Sequence, residues 1–220
     1  MTLTKPLLRW LFVNIALAVL AFLCAGKTGL PMLRAYLAMY AAITLAASII
    51  VDPELLQERA IRGDSGLDPI GGKGIVILFF ATVAVAALDI GRFHWTQGTQ
   101  GMTQAIALTV VAVLLGLITW AMAVNPFFSS AVRLQHERGH HVISRGPYRF
   151  VRHPGYAAMF FSVPGSAIAL CSHVALVPGV LCSIIILRRT FREDRFLKEE
   201  LPGYPAYMLR VRYRLFPGLW

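Results

Sequence analysis

Charged residues are scarce in this chain. Only 15% of its 220 residues are Asp, Glu, Lys or Arg, whereas soluble domains carry about 25%. Hydrophobic residues make up 57% of the chain, and the mean hydropathy is +0.63. This composition excludes an ordinary soluble domain and predicts an integral membrane protein.

The sequence also lacks the signals of several common folds and sites. Its three cysteines, Cys24, Cys171 and Cys182, lie in or beside apolar runs without the spacing of metal ligands, so we interpret them as core or lipid-facing residues. No internal repeat or low-complexity linker divides the chain. We therefore expect a single membrane domain over residues 1–220, with four spans in 1–128 and a catalytic loop, a helical hairpin and a cofactor-binding region in 129–220.

Four apolar runs approach the length of a transmembrane helix. They cover residues 11–25, 30–51, 74–91 and 104–128, and about 20 residues are needed to cross a bilayer core of about 30 Å. The charged start of the chain lacks a clear small-residue cleavage site, so we interpret the first run as a span that is retained.

A fifth run, residues 154–187, contains no Asp, Glu, Lys or Arg. One straight helix of this length would measure about 50 Å at 1.5 Å per residue, too long for one span. A helical hairpin that turns near residues 171–173 fits better, and its second arm continues into water until Pro202 and Gly203 stop the helix. The predicted fold is therefore all-α and polytopic, with about six transmembrane segments, the last two forming a hairpin, and a cytoplasmic carboxyl-terminal helical cap.

Positive charge is distributed unevenly along the predicted spans. If the amino terminus is cytoplasmic, eighteen of the 21 Lys and Arg residues lie on the cytoplasmic side, and Lys27, Arg34 and Arg92 lie outside. The positive-inside rule then predicts a multi-pass protein with both termini in the cytoplasm. The net charge of +10 is explained by topology and by contact with membrane lipids, and we expect no nucleic-acid partner.

The segment HERGH matches the zinc-protease pattern H-E-x-x-H through His136, Glu137 and His140. Such a site requires a helix and a third ligand, but Gly139 within that helix would cost about 1 kcal/mol. The following residues prefer extended structure, and no later ligand motif stands out. We therefore predict no metal site and interpret the segment as an interfacial loop.

A polar corner precedes the fifth apolar run. Proline suits the first position of a helix, so Pro154 places His153 at a helix amino terminus, where N–H groups and a partial positive charge favour an anionic ligand and a neutral histidine. In the alternative interpretation, His153 only caps the helix while Arg149 and Arg152 contact lipid phosphates.

A second polar group lies on the helix that leaves the membrane. Because Arg189, Glu193 and Glu200 recur with helical spacing, they share one broad face with Arg192, Phe196 and Leu197. Alone, this could be a set of solvated ion pairs, each worth tenths of a kcal/mol. However, the predicted topology places it on the same side as the His153 corner, so both groups could line one cleft.

Together these segments resemble the isoprenylcysteine carboxyl methyltransferase family and the related phospholipid N-methyltransferases. The family pattern G-x-Y-x-x-x-R-H-P-x-Y, an arginine four residues before an acidic pair, and a glycine with two tyrosines are all matched over roughly the last 80 residues. In the same region, His140-His141 falls where relatives carry a histidine, so HERGH looks accidental. The matching residues are Gly146, Tyr148, Arg152, His153, Pro154, Tyr156, Arg189, Glu193, Asp194, Gly203, Tyr204 and Tyr207.

The resemblance implies S-adenosylmethionine as methyl donor, held without a Rossmann domain, in agreement with the absence of a strand followed by G-x-G-x-x-G. It implies that Glu193 and Asp194 accept from the ammonium or ribose, and that His153, Tyr156 and the helix end receive the carboxylate. Tyr148, Arg152, Pro154 and Tyr207 complete the expected cofactor site, and Arg189 and Arg149 are the expected catalytic residues, with Arg189 orienting the acceptor.

The expected acceptor is a lipophilic small molecule or lipid, and no protein partner is predicted. Two departures from the family pattern affect the cofactor site: Asp194 replaces a second glutamate, and Ala157-Ala158 replaces a glycine. Two other functions remain open. One is a NADPH-dependent sterol or enone reductase, whose typical R-D-E-x-x-C pattern lacks its cysteine here at Leu197. The other is a non-catalytic membrane scaffold.

Overall fold

The structure is a computed structural model that describes residues 4–61, 68–96 and 101–219. Within these ranges the regular structure is entirely helical, which confirms the all-α prediction. The α-helices are α1 (Thr4–Ala25), α2 (Pro31–Ile50), α3 (Pro53–Ile61), α4 (Pro69–Leu88), α5 (Met102–Val124), α6 (Pro154–Ala169), α7 (Leu176–Glu200) and α8 (Tyr204–Arg210).

Four helices are long and apolar enough to cross a membrane. They are α1, α2, α5 and α4 together with a π-helical turn at Asp89–Phe93, and they coincide with the four apolar runs of the sequence. Proline at the first turn begins both α2 and α4, where its missing N–H costs no helical hydrogen bond. Large apolar side chains such as Phe12 and Val113 are exposed on these helices, as expected for surfaces that face lipid.

Helices α6 and α7 are joined by a short turn in which Cys171 has a positive φ of 55°. Pro164 lies inside α6 and has no N–H for the carbonyl of Phe160 one turn earlier. Ser183 of α7 donates its hydroxyl to that carbonyl instead, at 2.6 Å. Gly179 packs closely on the same proline, and a Cβ at position 179 would lie only 2.9 Å from Pro164 Cα. These contacts hold the two helices side by side. The total of six spans stays a prediction.

The charged second half of α7 ends at Glu200, just before Pro202 and Gly203, as the sequence predicts. Gly203 has a φ of 84°, a left-handed conformation that glycine adopts without strain. It lets the chain turn into α8, whose Tyr207 hydroxyl donates to the carbonyl of Tyr148 at 2.7 Å. The cytoplasmic location of the termini and the single-domain organisation stay predictions.

The apolar core lies among α1, α2, α4, α5 and α6 and contains a few polar bonds. Tyr36 of α2 donates its hydroxyl to Ser166 of α6 at 3.0 Å. At the α6–α7 turn, the buried carboxylate of Asp89 accepts hydroxyl hydrogen bonds from Thr96 and Ser172, both at 2.6 Å. Buried polar groups with such partners are tolerated in an apolar interior. This is the carboxyl-terminal end of α6, whereas His153 precedes its amino-terminal end. The candidate site therefore lies at the amino-terminal end of α6.

Candidate active site

The site begins at the amino terminus of α6. His153 is the residue that precedes the first turn and Pro154 is the first helical residue, as the sequence predicts. The N–H groups of Gly155 and Tyr156 belong to this turn, where N–H groups have no partner within a helix. The side chain of His153 makes no capping hydrogen bond, so it is directed to other partners.

Those partners centre on Asp194, whose side chain is only 2% exposed. Arg152 donates Nε to Asp194 Oδ1 at 2.8 Å and Nη2 to Oδ2 at 3.0 Å. Arg214 Nε donates to Oδ2 at 2.8 Å, and the Tyr204 hydroxyl to Oδ1 at 2.9 Å. His153 Nε2 lies 3.1 Å from Oδ1. Both carboxylate oxygens of Asp194 are therefore occupied by protein groups.

The chain after α8 fixes the same corner through its backbone. The N–H groups of Arg152 and His153 donate to the carbonyls of Tyr213 and Arg214, both at 2.9 Å. Arg152 Nη1 also donates to the carbonyls of Val211 and Arg212, at 2.9 and 2.7 Å. Together with the guanidinium of Arg214, this segment holds the His153 corner against α7.

A second hydrogen-bonded group lies nearer the surface. The Tyr156 hydroxyl donates to Glu193 Oε2 at 2.7 Å and accepts from Arg189 Nε at 2.6 Å. Arg189 also donates to the backbone carbonyls of Asp68, at 3.3 Å, and Ser130. Glu193 Oε1 lies 4.0 Å from His153 Nδ1, and the Glu193 side chain is 25% exposed. Glu193 thus retains acceptor capacity on its open side.

These groups border a cleft that is partly open to its surroundings. Aromatic rings form part of its wall: His140 stacks on Phe127 with ring centroids 4.4 Å apart. Burial, together with nearby His141, His136 and Arg133, lowers the pKa of His140 to about 4. The imidazole of His140 is therefore neutral at physiological pH and stacks as an uncharged ring.

The HERGH segment does not form the helix that the zinc pattern requires. Residues His136–Arg138 form a 3₁₀ turn that ends at Gly139, whose φ is 63°. Glu137 pairs with Arg133 at 2.8 Å. In the part of the chain that the structure describes, no group of His, Cys, Asp or Glu side chains is arranged to hold a metal ion. His140 and His141 instead line the cleft.

The structure brings most of the predicted site residues together. Asp194 lies behind the cleft wall, Pro154 sets the start of α6, and Arg189 lines an adjacent groove. Arg149 is exposed and does not border the cleft. The predicted residues that line the cleft directly are Tyr148, Arg152, His153, Tyr156, Glu193 and Tyr207.

Other residues of the site were not predicted from the sequence. Arg214 and Tyr204 bind Asp194, and Phe127 and Phe128 line the cleft. Tyr204 belongs to the motif that carries the resemblance, so the signal for it was present. Phe127 and Phe128 lie before the segment that carries the resemblance, and Arg214 lies within that segment but is not one of the matching residues.

Comparison with known proteins follows the same region. Residues 105–199 match the model of the isoprenylcysteine carboxyl methyltransferase (ICMT) family. Two rice proteins, from Oryza sativa subsp. indica and subsp. japonica, are each described as a probable protein-S-isoprenylcysteine O-methyltransferase. Each is 31% identical to this chain over 107 residues. The resemblance to the isoprenylcysteine carboxyl methyltransferase family is confirmed.

The matched region covers only part of this chain and only part of each relative. The rice alignments cover 46% of this chain and 56% of each relative. The ICMT match runs from α5 through most of α7, so it includes Arg152, His153, Glu193 and Asp194, whereas Tyr204 and Arg214 lie beyond it. The segment after α8, which holds the His153 corner against α7, is therefore outside the family match.

Proposed function

We propose that this protein is an S-adenosylmethionine-dependent methyltransferase that acts on a lipophilic acceptor at the cytoplasmic membrane surface. The observation that carries the proposal is the convergence of two groups on one cleft. Gly155 and Tyr156 at the start of α6 provide N–H groups, and Glu193 of α7 provides a partly exposed carboxylate. The ICMT match covers both groups.

The residues of the cleft fit the chemistry of this cofactor. Its ammonium and ribose hydroxyls need an acceptor, which Glu193 supplies. Its carboxylate needs N–H donors at a helix amino terminus, which Gly155 and Tyr156 supply. Its purine needs a stacking or apolar wall, which the rings of Phe127 and His140 and neighbouring apolar side chains provide.

The contacts of Asp194 lead us to propose a role for it other than the one that the resemblance implies. Because both of its oxygens already accept from protein groups, we assign it to positioning. It holds Arg152 and His153 in place and leaves Glu193 to contact the cofactor.

S-adenosylmethionine, when bound, supplies an electrophilic methyl group on a sulfonium. The chain contributes by orienting both reactants and by excluding water, and holding two reactants in line can lower a barrier by about 7–11 kcal/mol. Arg189 fixes the Tyr156 hydroxyl, which in turn fixes Glu193. Arg189 also borders the groove through which we propose that the acceptor enters, and there it orients the acceptor.

The groove supports an acidic lipid as acceptor. Four basic residues border it: Arg9, Arg59, Lys73 and Arg189. The rest of its lining is largely apolar, so it suits an amphiphile whose polar end is anionic. Because the rice relatives are described as isoprenylcysteine methyltransferases, we propose a carboxylate of the isoprenylcysteine type as the first acceptor to examine.

Ligand-induced stabilisation distinguishes this function from a NADPH-dependent reductase and from a scaffold. A ligand at 100 times its Kd stabilises the folded state by about 2.7 kcal/mol. We expect S-adenosylhomocysteine to raise the Tm of the purified protein in detergent and NADPH to leave it unchanged. Stabilisation by NADPH alone would support the reductase, and no shift with either ligand would support the scaffold.

A further inference from the structure

A groove adjoins the cofactor cleft on the membrane side. It has a cavity volume of about 380 Å³ and is bordered by α4, α6 and the basic residues described above. Val76 and Ile77 of α4 line it and are themselves 56% and 65% exposed. Since α4 belongs to a candidate membrane span, we infer that the open side of the groove faces the membrane.

The groove and the cleft share a thin wall. Phe128, Ser129 and Tyr156 line both spaces. Tyr156 is fixed by two hydrogen bonds of its hydroxyl. The ring of Phe128 has no polar atom and is half-buried, so no hydrogen bond holds this side chain. Phe128 therefore differs from Tyr156 as the part of the wall whose side chain is held without hydrogen bonds.

The absence of a side chain at Gly155 allows the Phe128 ring to lie against the first turn of α6. A Cβ at position 155 would lie 2.5 Å from Phe128 Cζ, closer than any stable contact, so even alanine would displace the ring. The same turn carries the N–H groups that we assign to the cofactor. Phe128 thus covers the point at which the cofactor site meets the groove.

Helix α3 holds the backbone of Phe128 from the other side. Arg59 Nη1 donates to the carbonyl of Phe128 at 2.9 Å, and its guanidinium carbon lies 5.3 Å from the centroid of the ring, within the range of a cation–π interaction. Next to it, Ser129 donates its hydroxyl to Glu58 at 2.7 Å. The backbone at Phe128 is therefore held by a hydrogen bond from α3, whereas its ring is held by the contacts with Arg59 and Gly155 and by no hydrogen bond.

We propose that Phe128 is a specificity-determining residue whose ring forms a movable partition between the cofactor cleft and the membrane-side groove. The ring turns aside to admit the polar end of the acceptor, and Arg59 and Gly155 set its closed position. The size of the side chain at position 128 then limits the bulk of the acceptor next to its reactive group. This inference rests on the proposed methyltransferase function.

The test compares two acceptors that differ only in bulk near the carboxylate. Both are S-farnesylcysteines with a free carboxylate, one with an acetyl group and one with a dansyl group on nitrogen. We expect Phe128→Ala to raise the ratio of kcat/KM for the dansyl probe over the acetyl probe by about 10-fold, the scale on which pocket size discriminates substrates. Phe128→Trp should lower this ratio, and Phe128→Leu should give an intermediate value.

Two measurements separate the partition from a merely structural role. Binding of S-adenosylhomocysteine to Phe128→Ala should change much less than the probe ratio, since the donors and the acceptor that we assign to this ligand belong to α6 and α7. Direct binding of the dansyl probe, followed by its fluorescence, should tighten in Phe128→Ala and weaken in Phe128→Trp. Phe150→Ala, at a ring that is 65% exposed and outside both spaces, is the matched control and should behave as wild type.

The outcomes distinguish failure of this inference from failure of the proposed function. If wild-type protein binds S-adenosylhomocysteine and the Phe128 variants show the wild-type probe ratio, Phe128 is not the partition. Loss of cofactor binding in Phe128→Ala would place the ring in the cofactor site and also overturn the inference. If wild-type protein binds no S-adenosylhomocysteine, the methyltransferase proposal fails, and the partition fails with it.

Discussion

Arg152 and Asp194 form a buried, bidentate ion pair between residues far apart in sequence. Arg152 Nε and Nη2 lie 2.8 and 3.0 Å from the two oxygens of Asp194, and both side chains are at most 4% exposed. The pair joins the corner before α6 to the charged half of α7. The two polar groups that the sequence separates therefore share one wall of the cleft.

The first prediction concerns the stability that this pair provides. Asp194→Asn keeps the shape of the side chain but removes the negative charge that faces Arg152 and Arg214. Because removing one partner of a buried pair leaves an uncompensated charge, we expect the free energy of unfolding to fall by about 3–5 kcal/mol. Unfolding in detergent measures the change. Glu200→Gln, at an exposed position of α7, is the control, and equal stability of the two variants would contradict the prediction.

The second prediction concerns pH. Burial raises the pKa of Asp194, but hydrogen bonds from His153, Arg152 and Arg214 outweigh it and hold the pKa well below its ordinary value of 3.8. A lowered carboxyl pKa stabilises the fold above the ordinary value, and this contribution is lost as the pH falls below it. The stability difference between wild type and Asp194→Asn should be constant from about pH 5 to 7 and shrink below about pH 4. A stability difference that grows as the pH falls would contradict the lowered pKa of Asp194.

The sequence predicted the helical framework well because its signals are local. Apolar length marks α1, α2, α4 and α5, and proline marks the start of α6 at Pro154. The way in which α6 and α7 contact each other was harder to predict from the sequence. It depends on Ser183 replacing the hydrogen bond that Pro164 cannot donate, and such a bond follows only from the packing of two helices.

The sequence predicted most residues of the site, but it did not predict which of them face the cleft and which are buried. Glu193 and Asp194 are adjacent in sequence, yet Glu193 faces the cleft and Asp194 is buried, because consecutive residues point about 100° apart around a helix. Arg214 could not be predicted, since its contact with Asp194 requires the chain to return after α8. Arg149 has the right chemistry but is exposed and does not border the cleft, and its catalytic role stays a prediction.

The third prediction tests Glu193 as the cofactor's acceptor. Glu193→Gln keeps a hydrogen-bonding side chain of similar size but loses the charge. A hydrogen bond to a charged group contributes about 1.5–3 kcal/mol, so we expect the affinity for S-adenosylhomocysteine to fall by roughly 10- to 100-fold. Calorimetry or ligand-dependent Tm shifts measure the loss. Glu199→Gln, exposed on the same helix, should bind as wild type, and an equal affinity of Glu193→Gln would remove Glu193 from the cofactor site.

The last prediction separates binding from turnover at Arg189. Arg189 lines the groove and donates to the Tyr156 hydroxyl, but it does not line the cofactor cleft. Arg189→Ala should therefore lower kcat with N-acetyl-S-farnesylcysteine by about 100-fold, the scale of a small misplacement of reacting groups. The affinity for S-adenosylhomocysteine should change much less.

Arg188→Ala, exposed one residue earlier, is the matched control and should retain turnover. Arg189→Lys keeps the charge but cannot reproduce the three directions in which the guanidinium donates, to Tyr156 and to the carbonyls of Asp68 and Ser130. It should therefore restore little of the kcat that Arg189→Ala loses. Equal losses of turnover and cofactor affinity in Arg189→Ala would show that Arg189 acts on the cofactor site as a whole and not on the acceptor.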